Sequence, residues 1–392
     1  MKLSEKKNKV NQFFFDLKKI LKKNKKPFFL HEPHLDHRDE IYVSKCVNSK
    51  FISTAGQFTK KFEDEIKKFT KSKYVLSLIN GTAALHLALV VLNIKENEEI
   101  LIPSMTFVAT GNAVLYNKSI PHFFDINEDL TIDLIKLNNY LEKNTKIKNG
   151  KCINKNTNRV ISAIIPMHIF GHMCDMNKLK KLALKFKLLI IEDAAEALGS
   201  FYRNKHAGTF GQIGTLSFNG NKIITTGMGG AILTNNKKLY LKARHLAATA
   251  KVKSKWDYIH DVLGYNYRLP SLNAAIGCSQ MKKINFLINK KRKLFQIYKK
   301  AFEGNDFFTL ISEQPNTKSN YWLQTVVLKP KFKDLTKMIL SKCYDNKIYI
   351  RPAWKPLHKL NYFKKFPKMN LDKTNSLSLR VINLPSSSIL SK

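Results

Sequence analysis

"YVLSLINGTAALHLALVVLN", residues 74–93, indicates the fold class of this chain. Its first six residues are mostly apolar or β-branched, which is typical of a buried strand. Asn80 and Gly81 form a turn, and the apolar run that follows Thr82 has the length of a helix. A strand, a tight turn and a helix in direct succession make half of a βαβ unit. The stretch therefore predicts a parallel sheet covered by helices.

The same alternation continues along the chain. Strand-like runs such as "EEILIP" and "LLIIED" alternate with amphipathic runs of helical length, for example "DMNKLKKLALKFK". After about residue 245 longer helical stretches follow, and the strand-like runs "YWLQTVVL" and "IYIRPA" flank one more helix. We therefore predict the α/β class, with a large domain of mostly parallel sheet over residues 28–250 and a small C-terminal α+β domain over residues 251–392.

Residues 1–27 precede this alternation and carry a helical pattern of their own. Apolar side chains recur every three or four residues, with lysines between them: Val10, Phe13, Phe14, Leu17, Ile20 and Leu21. The spacing predicts a basic amphipathic helix. Such a helix either packs on the main body or lies on a membrane surface, and we favour the packed helix.

The chain is strongly basic. Lysine and arginine total 68 of 392 residues against 29 acidic residues, which gives a formal net charge of +39. Only eight of these cations are arginine, the residue that suits bidentate contacts with nucleic acids, and the lysines are spread along the chain. We therefore expect no specific nucleic-acid partner, whereas attraction to acidic small molecules fits the charge.

Cysteine use and hydropathy favour a cytoplasmic protein. The five cysteines are widely spaced without a CxxC pair, which indicates reduced thiols rather than a disulfide framework. No run approaches 18 apolar residues, so we expect no transmembrane segment, and "NQFFFDLKKI" is too interrupted by charge for a signal peptide. "HEPHLDHRDE" is not accompanied by a second cluster at zinc spacing, so we expect no metal site.

The residues after each strand bear on function, because ligands of open parallel sheets bind beyond the carboxyl ends of the strands. Gly81 and Thr82 open a helix and can cradle a phosphate, although Thr82 can also serve as an ordinary helix cap. Phe107 follows the second strand and belongs either to the core or against a flat ligand. Asp193 closes a buried strand, where it caps a helix or holds a protonated ring nitrogen.

"SFNGNKIITTGMGG", residues 217–230, places a lysine after the next strand. Ser217 closes a short strand and Lys222 lies in the turn that follows. A phosphate cradle, a strand-end carboxylate and a turn lysine are the groups that an enzyme using pyridoxal 5′-phosphate (PLP) needs, since they hold the phosphate, the ring nitrogen and the aldehyde carbon. Their order along one α/β domain predicts PLP as the cofactor.

The same motifs make the chain similar to a known family. It resembles the DegT/DnrJ/EryC1/StrS aminotransferases in "NGTAALHLAL", "PSMTFVATGNAV", "IEDAAEALGS", "GTLSFNGNKIITTGMGG" and "GYNYRLPSLNAAIG". The resemblance covers most of the chain and looks closest to the branch named for legionaminic acid synthesis, through "HEP" and "NGNKIITTG". It implies a fold-type-I PLP-dependent aminotransferase.

The resemblance also implies roles, residue by residue. Lys222 would carry the cofactor and Asp193 would hold its ring nitrogen. Phe107 would stack on the ring, and Glu196 stands near it, where relatives often have Gln or His. The phosphate would be bound by Gly81, Thr82 and Ser217, and across a subunit boundary by Asn266. The substrate-facing segments of the family imply substrate contacts for His168, Tyr321, Arg351 and His358.

The implied reaction transfers an amino group, with L-glutamate as donor, to a nucleotide-linked 4-keto-6-deoxysugar for surface-glycan or nonulosonic acid synthesis. The family implies a homodimer with shared active sites. Two alternatives stay open: a PLP-dependent sugar dehydratase, and a non-enzymatic regulatory or nucleic-acid-binding member of the fold. Relatives that are dehydratases carry His in place of the lysine, so Lys222 favours the aminotransferase.

Overall fold

A computed structural model describes residues 3–21 and 27–391 of this chain. It contains the strand that is predicted at the start of residues 74–93. This strand is the first of the strands in these two ranges, most of which are short. The strands are β1 (Tyr74–Leu78), β2 (Glu99–Pro103), β3 (Ile120–Phe124), β4 (Thr145–Lys148), β5 (Lys151–Asn154), β6 (Val160–Ile164), β7 (Leu189–Asp193), β8 (Phe201–Tyr202), β9 (Lys205–His206), β10 (Ile213–Ser217), β11 (Gly230–Thr234), β12 (Phe308–Leu310), β13 (Thr317–Lys318), β14 (Gln324–Leu328), β15 (Arg351–Pro352) and β16 (Val381–Leu384).

The large sheet has the strand order β1-β11-β10-β7-β6-β2-β3, and the hairpin of β4 and β5 adds to it through β6. Neighbours on this path are parallel except at β11, which is antiparallel to both β1 and β10. The predicted mostly parallel sheet is therefore confirmed. Because strands that run in one direction end at one edge, the turns after β1, β2, β7 and β10 meet there.

Helices connect these strands, as the alternation predicts. Most of them are short, and α1 and α10 are the longest. The helices are α1 (Leu3–Leu21), α2 (His37–Asn48), α3 (Gln57–Thr70), α4 (Gly81–Val91), α5 (Val108–Tyr116), α6 (Leu134–Asn144), α7 (Met176–Lys185), α8 (Lys237–Ala247), α9 (Ser271–Lys282), α10 (Ile284–Ala301), α11 (Thr336–Asp345) and α12 (Asp372–Leu377).

A second sheet lies in the C-terminal part of the chain, with the antiparallel order β12-β14-β16-β15. Its buried side chains contribute to a cluster separate from the core of the large sheet. Helix α10 joins the two clusters, since Leu287 packs in the first and Leu294 in the second. The domain boundary near residue 250 stays a prediction, because α9 lies beyond it and yet packs on α2 and α3.

The N-terminal helix is present as α1, although residues 1, 2 and 22–26 of the predicted element lie outside the described residues. Its apolar side chains Val10, Phe13 and Leu17 are buried in the cluster of the small sheet. The helix contacts α10 and α11. An apolar face that is buried inside the protein supports the packed helix over the membrane-surface alternative.

Cysteines and hydropathy give two further observations. All five cysteines are buried free thiols. Burial raises the pKa of the Cys278 thiol to about 12, so this group stays protonated at neutral pH. Among the helices of the two described ranges, none combines the length and the apolar character that a membrane span requires.

Candidate active site

A cavity of about 290 Å³ opens at the sheet edge where β1, β7 and β10 end. Ligands of parallel sheets bind at this edge, and enclosed cavities with a few polar groups are typical ligand sites. Its lining brings together seven of the predicted residues: Gly81, Thr82, Phe107, Asp193, Glu196, Ser217 and Lys222.

The first turn of α4 faces Ser217 across the end of the sheet. Asn80 caps this helix, because its Oδ1 accepts a hydrogen bond from Ala83 N–H at 2.8 Å. Thr82 is therefore not the helix cap. A Cβ on Gly81 would lie 3.0 Å from Ser217 Cβ, so glycine keeps the gap between the two segments open. N–H groups at a helix start beside a serine hydroxyl suit a phosphate.

Asp193 ends β7 inside the protein, with 3% of its surface exposed. Its Oδ2 accepts a hydrogen bond from Thr110 Oγ1 at 2.7 Å, and its Oδ1 accepts one from Ala195 N–H at 3.2 Å. Burial raises the pKa of Asp193, and the hydrogen bond from Thr110 opposes that rise. Turns rather than a helix follow Asp193, so the helix-cap interpretation is wrong.

Lys222 lies in the turn after β10, and its side chain enters the cavity. Its Nζ is 3.3 Å from Glu196 Oε1 and 4.0 Å from the centre of the Trp322 ring. The other carboxylate oxygen of Glu196 accepts a hydrogen bond from Phe170 N–H at 2.8 Å. Burial raises the pKa of Glu196 to about 7, and the charge of Lys222 opposes that rise. A carboxyl group that titrates near neutrality can exchange a proton with an adjacent amine.

Phe107 stands at the rim of the cavity, with 49% of its surface exposed. It directly precedes α5, and its ring meets Trp354 edge-on with 6.1 Å between centroids. An aromatic ring that is half exposed at a rim does not belong to the core. Of the two interpretations left open by the sequence, the structure supports a ring that can cover a flat ligand.

The other ten residues of the lining were not among the predicted site residues, and three of them have large side chains that the sequence did not single out as site residues: Met167, Trp322 and Trp354. In the sequence each lies in or beside a strand-like apolar run, where large apolar side chains are typical of a core. For Trp322 and Trp354 the available signal was their position beside Tyr321 and between Arg351 and His358, in segments that resemble substrate-facing parts of the family. The choice of residue within each segment could not be made from that signal.

His168 and Tyr321 do not line the cavity, and the substrate contacts predicted for them stay predictions. His168 is buried, with Nε2 3.0 Å from a carboxylate oxygen of the buried Glu192. Tyr321 is also buried and stacks on a neighbouring phenylalanine ring, with centroids 4.0 Å apart. In each case the adjacent residue, Met167 or Trp322, borders the cavity instead.

Arg351 and His358 also lie outside the cavity. His358 is held on both sides, with Nδ1 2.6 Å from Ser104 Oγ and Nε2 3.1 Å from Asn375 Oδ1. Arg351 is exposed on β15 and borders a separate surface pocket. Trp354, between the two in sequence, is the residue of this segment that reaches the cavity. The substrate contacts of Arg351 and His358 stay predictions, and neither residue borders this cavity.

Asn266 is exposed and pairs through its main chain with Ala248. It does not border the cavity that contains Lys222 of its own chain. Its contact with the phosphate in a partner subunit stays a prediction.

The histidine-rich segment that leads into α2 makes local and long-range contacts, since His34 O accepts a hydrogen bond from Gln280 Nε2 at 3.0 Å. His37 Nδ1 lies 2.9 Å from Glu40 Oε2 on the helix surface. Within residues 3–21 and 27–391, no three or more His, Cys, Asp or Glu side chains are grouped so that they could hold a metal ion.

Sequence comparison finds relatives over nearly the whole chain. The sequence model of the DegT/DnrJ/EryC1/StrS aminotransferase family matches residues 33–392. The chain is 35% identical to the GDP-perosamine synthase of Escherichia coli O157:H7, over 91% of this chain and 92% of that protein. It is 32% identical to a UDP-4-amino-4,6-dideoxy-N-acetyl-beta-L-altrosamine transaminase of Campylobacter jejuni subsp. jejuni serotype O:23/36, over 85% of each chain.

Solved structures share the fold. Helicobacter pylori PseC, described as an aminotransferase involved in the biosynthesis of pseudoaminic acid, matches with a TM-score of 0.83 and 29% identity, over 92% of this chain and 94% of that chain. More distant neighbours include PLP and PMP forms of one protein, which match with a TM-score of 0.81 at 22% identity and so show the fold alone. These matches confirm the predicted fold-type-I class.

Proposed function

The chain belongs to the DegT/DnrJ/EryC1/StrS aminotransferase family, and from this premise we propose that it transfers an amino group from L-glutamate to a nucleotide-linked 4-keto-6-deoxysugar with PLP as cofactor. The family is PLP-dependent. One observation carries the proposal for this chain: Lys222, Asp193 and the turn at Gly81 meet in a single cavity.

The residues of the cavity fit PLP. Gly81 and Thr82, with Ser217 opposite, suit its phosphate. The buried carboxyl of Asp193 suits a protonated ring nitrogen, because a buried carboxylate needs a positive partner. When bound, PLP supplies an aldehyde carbon that bonds amines and a protonated ring that withdraws electrons from the bonds of the attached Cα.

Lys222 has two tasks in the proposed reaction. Its Nζ would hold the aldehyde carbon of the cofactor, and once free it would accept the proton from the donor Cα and donate it to that former aldehyde carbon. Glu196 Oε1, 3.3 Å away, attracts this Nζ and keeps it inside the cavity. Asp193 maintains the charge of the ring nitrogen, and Phe107 covers the ring from the rim.

The identity of residue 222 supports amino transfer over dehydration. The family resemblance implies His at this position in a dehydratase, whereas this chain has Lys222. The relatives compared above include a protein named as a transaminase. A cavity with a lysine amine beside two buried carboxyl groups also favours an enzyme over a non-enzymatic regulator.

Relatives and charge support a nucleotide-linked sugar as substrate. One relative is named for a GDP-linked sugar, and another for a UDP-linked 4-amino-4,6-dideoxy sugar. Amination of a 4-keto-6-deoxysugar yields a sugar of the second kind. The formal net charge of +39 attracts a substrate that carries a diphosphate. We further propose that the product serves surface-glycan or nonulosonic acid synthesis, which the likeness to an enzyme of pseudoaminic acid biosynthesis supports. The legionaminic branch and a cytoplasmic location also remain part of the proposal.

We also propose a homodimer with shared active sites. Three large side chains between α8 and α9 are almost fully exposed: Trp256 at 80%, Tyr258 at 82% and Leu263 at 81%. Exposed apolar and aromatic side chains in one segment are typical of an interface. Asn266 follows this segment closely, so an interface here would carry Asn266 towards the other subunit, and two-fold symmetry would make the contact occur twice.

The proposed reaction is tested with purified protein, PLP and glutamate labelled with nitrogen-15. A panel of UDP-, GDP- and dTDP-linked 4-keto-6-deoxysugars serves as acceptors. Mass spectrometry should find the label in one sugar product, and Lys222→Ala should abolish that product. A sugar that has lost a hydroxyl group without gaining nitrogen would instead identify a dehydratase. Protein that never takes up PLP would contradict the proposal as a whole.

A further inference from the structure

Trp322 connects the C-terminal part of the chain with the lysine of the cavity. Its Nε1–H donates a hydrogen bond to Asn221 O at 2.7 Å, and its ring centre lies 4.0 Å from Lys222 Nζ. We propose that Trp322 is a positioning residue for Lys222. The hydrogen bond from Trp322 Nε1–H to Asn221 O holds the main chain next to Lys222, and the Trp322 ring holds the Lys222 amine. This inference rests on the proposed function, because it concerns the lysine that would bind PLP.

Trp322 is itself held in place by its neighbours. Its N–H donates to Asn320 Oδ1 at 2.8 Å, and its carbonyl oxygen accepts a hydrogen bond from Lys291 Nζ at 2.8 Å. Lys291 is buried in α10, and burial holds the pKa of its amine well below the usual range. The segment 320–322, which contains Trp322, also fixes the main chain of Glu196, since Asn320 Nδ2 donates a hydrogen bond to Glu196 O at 2.9 Å. Both groups that contact Lys222 Nζ are therefore anchored to one short segment.

The local structure around Lys222 explains why such support matters. Gly220 has open space where a Cβ would stand, and Asn221 is exposed, so this turn has little packing of its own. A lysine side chain has high rotamer entropy and would sample many positions on such a turn. A reacting group that is misplaced by about 1 Å can lose roughly 100-fold in rate. Contacts at both ends of Lys222 restrict this freedom.

A purely structural role for Trp322 makes a different prediction. The side chain is 4% exposed and lies 6.4 Å, between ring centroids, from both Phe170 and His31. If Trp322 only filled the core, its substitution would lower stability, and any effect on PLP binding would be independent of Lys222. Positioning requires an effect that disappears when the amine of Lys222 is absent.

A double-mutant cycle separates the two roles. The apparent PLP affinity at equilibrium is measured for the wild type, Trp322→Phe, Lys222→Ala and the double variant. Phenylalanine keeps a ring near Nζ and loses the N–H, so Trp322→Phe should weaken binding roughly 2- to 10-fold when Lys222 is present. It should change nothing in the Lys222→Ala background. An equal loss in both backgrounds, or no loss in either, would overturn the proposal.

Tyr298→Phe is the matched control. It removes one buried hydrogen bond, from Tyr298 to Pro385 O at 3.0 Å, on the same helix as Lys291. The midpoint of urea unfolding should be lower for Tyr298→Phe than for the wild type, while the PLP affinity of this variant should equal that of the wild type. If Trp322→Phe does not fold, Lys291→Met releases the Trp322 carbonyl and should show the same dependence on Lys222. Failure of the wild type to take up PLP would refute the proposed function, whereas uptake without coupling would refute only the role of Trp322.

Discussion

Glu196 and Lys222 form a buried pair in the candidate active site, with Oε1 3.3 Å from Nζ and side chains that are only 2% and 13% exposed. The carboxyl is held on its other oxygen by the main chain of Phe170. Burial sets its titration close to neutrality, with a pKa of about 7. In the proposed reaction Lys222 gains and releases protons, and it lies beside a carboxyl group that can do the same near neutral pH.

This pair predicts a pH dependence of stability. The pKa of Glu196 is about 7 in the folded protein, against an ordinary value of 4.5. The folded state thus binds this proton more tightly than the unfolded chain, so the stabilisation is complete below about pH 4.5 and is lost as the pH rises to about 7. Without PLP, the wild type should lose more free energy of unfolding than Glu196→Gln between about pH 5 and about pH 8.

Urea unfolding of both proteins at the two pH values measures this difference. Glu142→Gln, on the surface of α6, serves as the control and should follow the wild type in this interval. Parallel curves for the wild type and Glu196→Gln would contradict the titration of Glu196 in this range.

Replacement of Lys222 should abolish amino transfer. Lys222→Ala loses the proton-transfer group, which typically contributes about 10²- to 10⁴-fold, and loses the covalent link to the cofactor in addition. Lys222→Arg should fail as well, because a guanidinium is not deprotonated to attack an aldehyde. Turnover is measured with the labelled-glutamate assay, and near-normal turnover of either variant would refute the assignment of Lys222.

Asp193→Asn should affect rate far more than folding. Asparagine retains an oxygen that accepts the hydrogen bond from Thr110 and loses only the weaker bond from Ala195 N–H, so the free energy of unfolding should fall by no more than about 1–2 kcal/mol. Loss of the charge should lower the transfer rate about 100- to 1000-fold, the range seen when one electrostatic contact in an active site is removed. Thr110→Val leaves the charge in place and should have the smaller effect on rate. Normal turnover in a destabilised Asp193→Asn would assign Asp193 a structural role.

Two phenylalanines of α1 test the packing of the N-terminal helix. Phe13 is 1% exposed in the cluster of the small sheet, whereas Phe15 is 59% exposed. Phe13→Ala should lower the free energy of unfolding by about 3–5 kcal/mol through cavity formation. Phe15→Ala should change it by less than about 0.5 kcal/mol. Equal effects in urea unfolding would argue against the packed position of α1.

Shared active sites predict complementation between two inactive variants. Lys222→Ala and Asn266→Ala subunits are mixed under conditions that allow exchange. In each mixed dimer one site then carries both substitutions and the other carries neither, so activity should rise above that of either parent. Subunit exchange is confirmed by mass spectrometry of differently tagged chains. Confirmed exchange without recovery of activity would show that Asn266 does not serve the partner's site.

The sequence by itself determined the layer class and the strand-end residues of the site. Alternating strand and helix patterns require parallel connections, and parallel strands end at one edge. Gly81, Asp193 and Lys222 therefore meet whatever the lengths of the helices between them. The apolar spacing of α1 likewise indicated its buried face, because helical periodicity is a local property.

Only the tertiary structure decided which side chain of each connecting segment enters the cavity. Tyr321 and Phe170 have φ angles of 47° and 53°, in the left-handed region that few residues other than glycine adopt. Such torsions are maintained by contacts from distant parts of the chain, such as the hydrogen bonds of Asn320 to the carbonyls of Glu196 and Leu198. Local sequence does not specify them, and a change of one torsion decides whether Trp322 or Tyr321 borders the cavity.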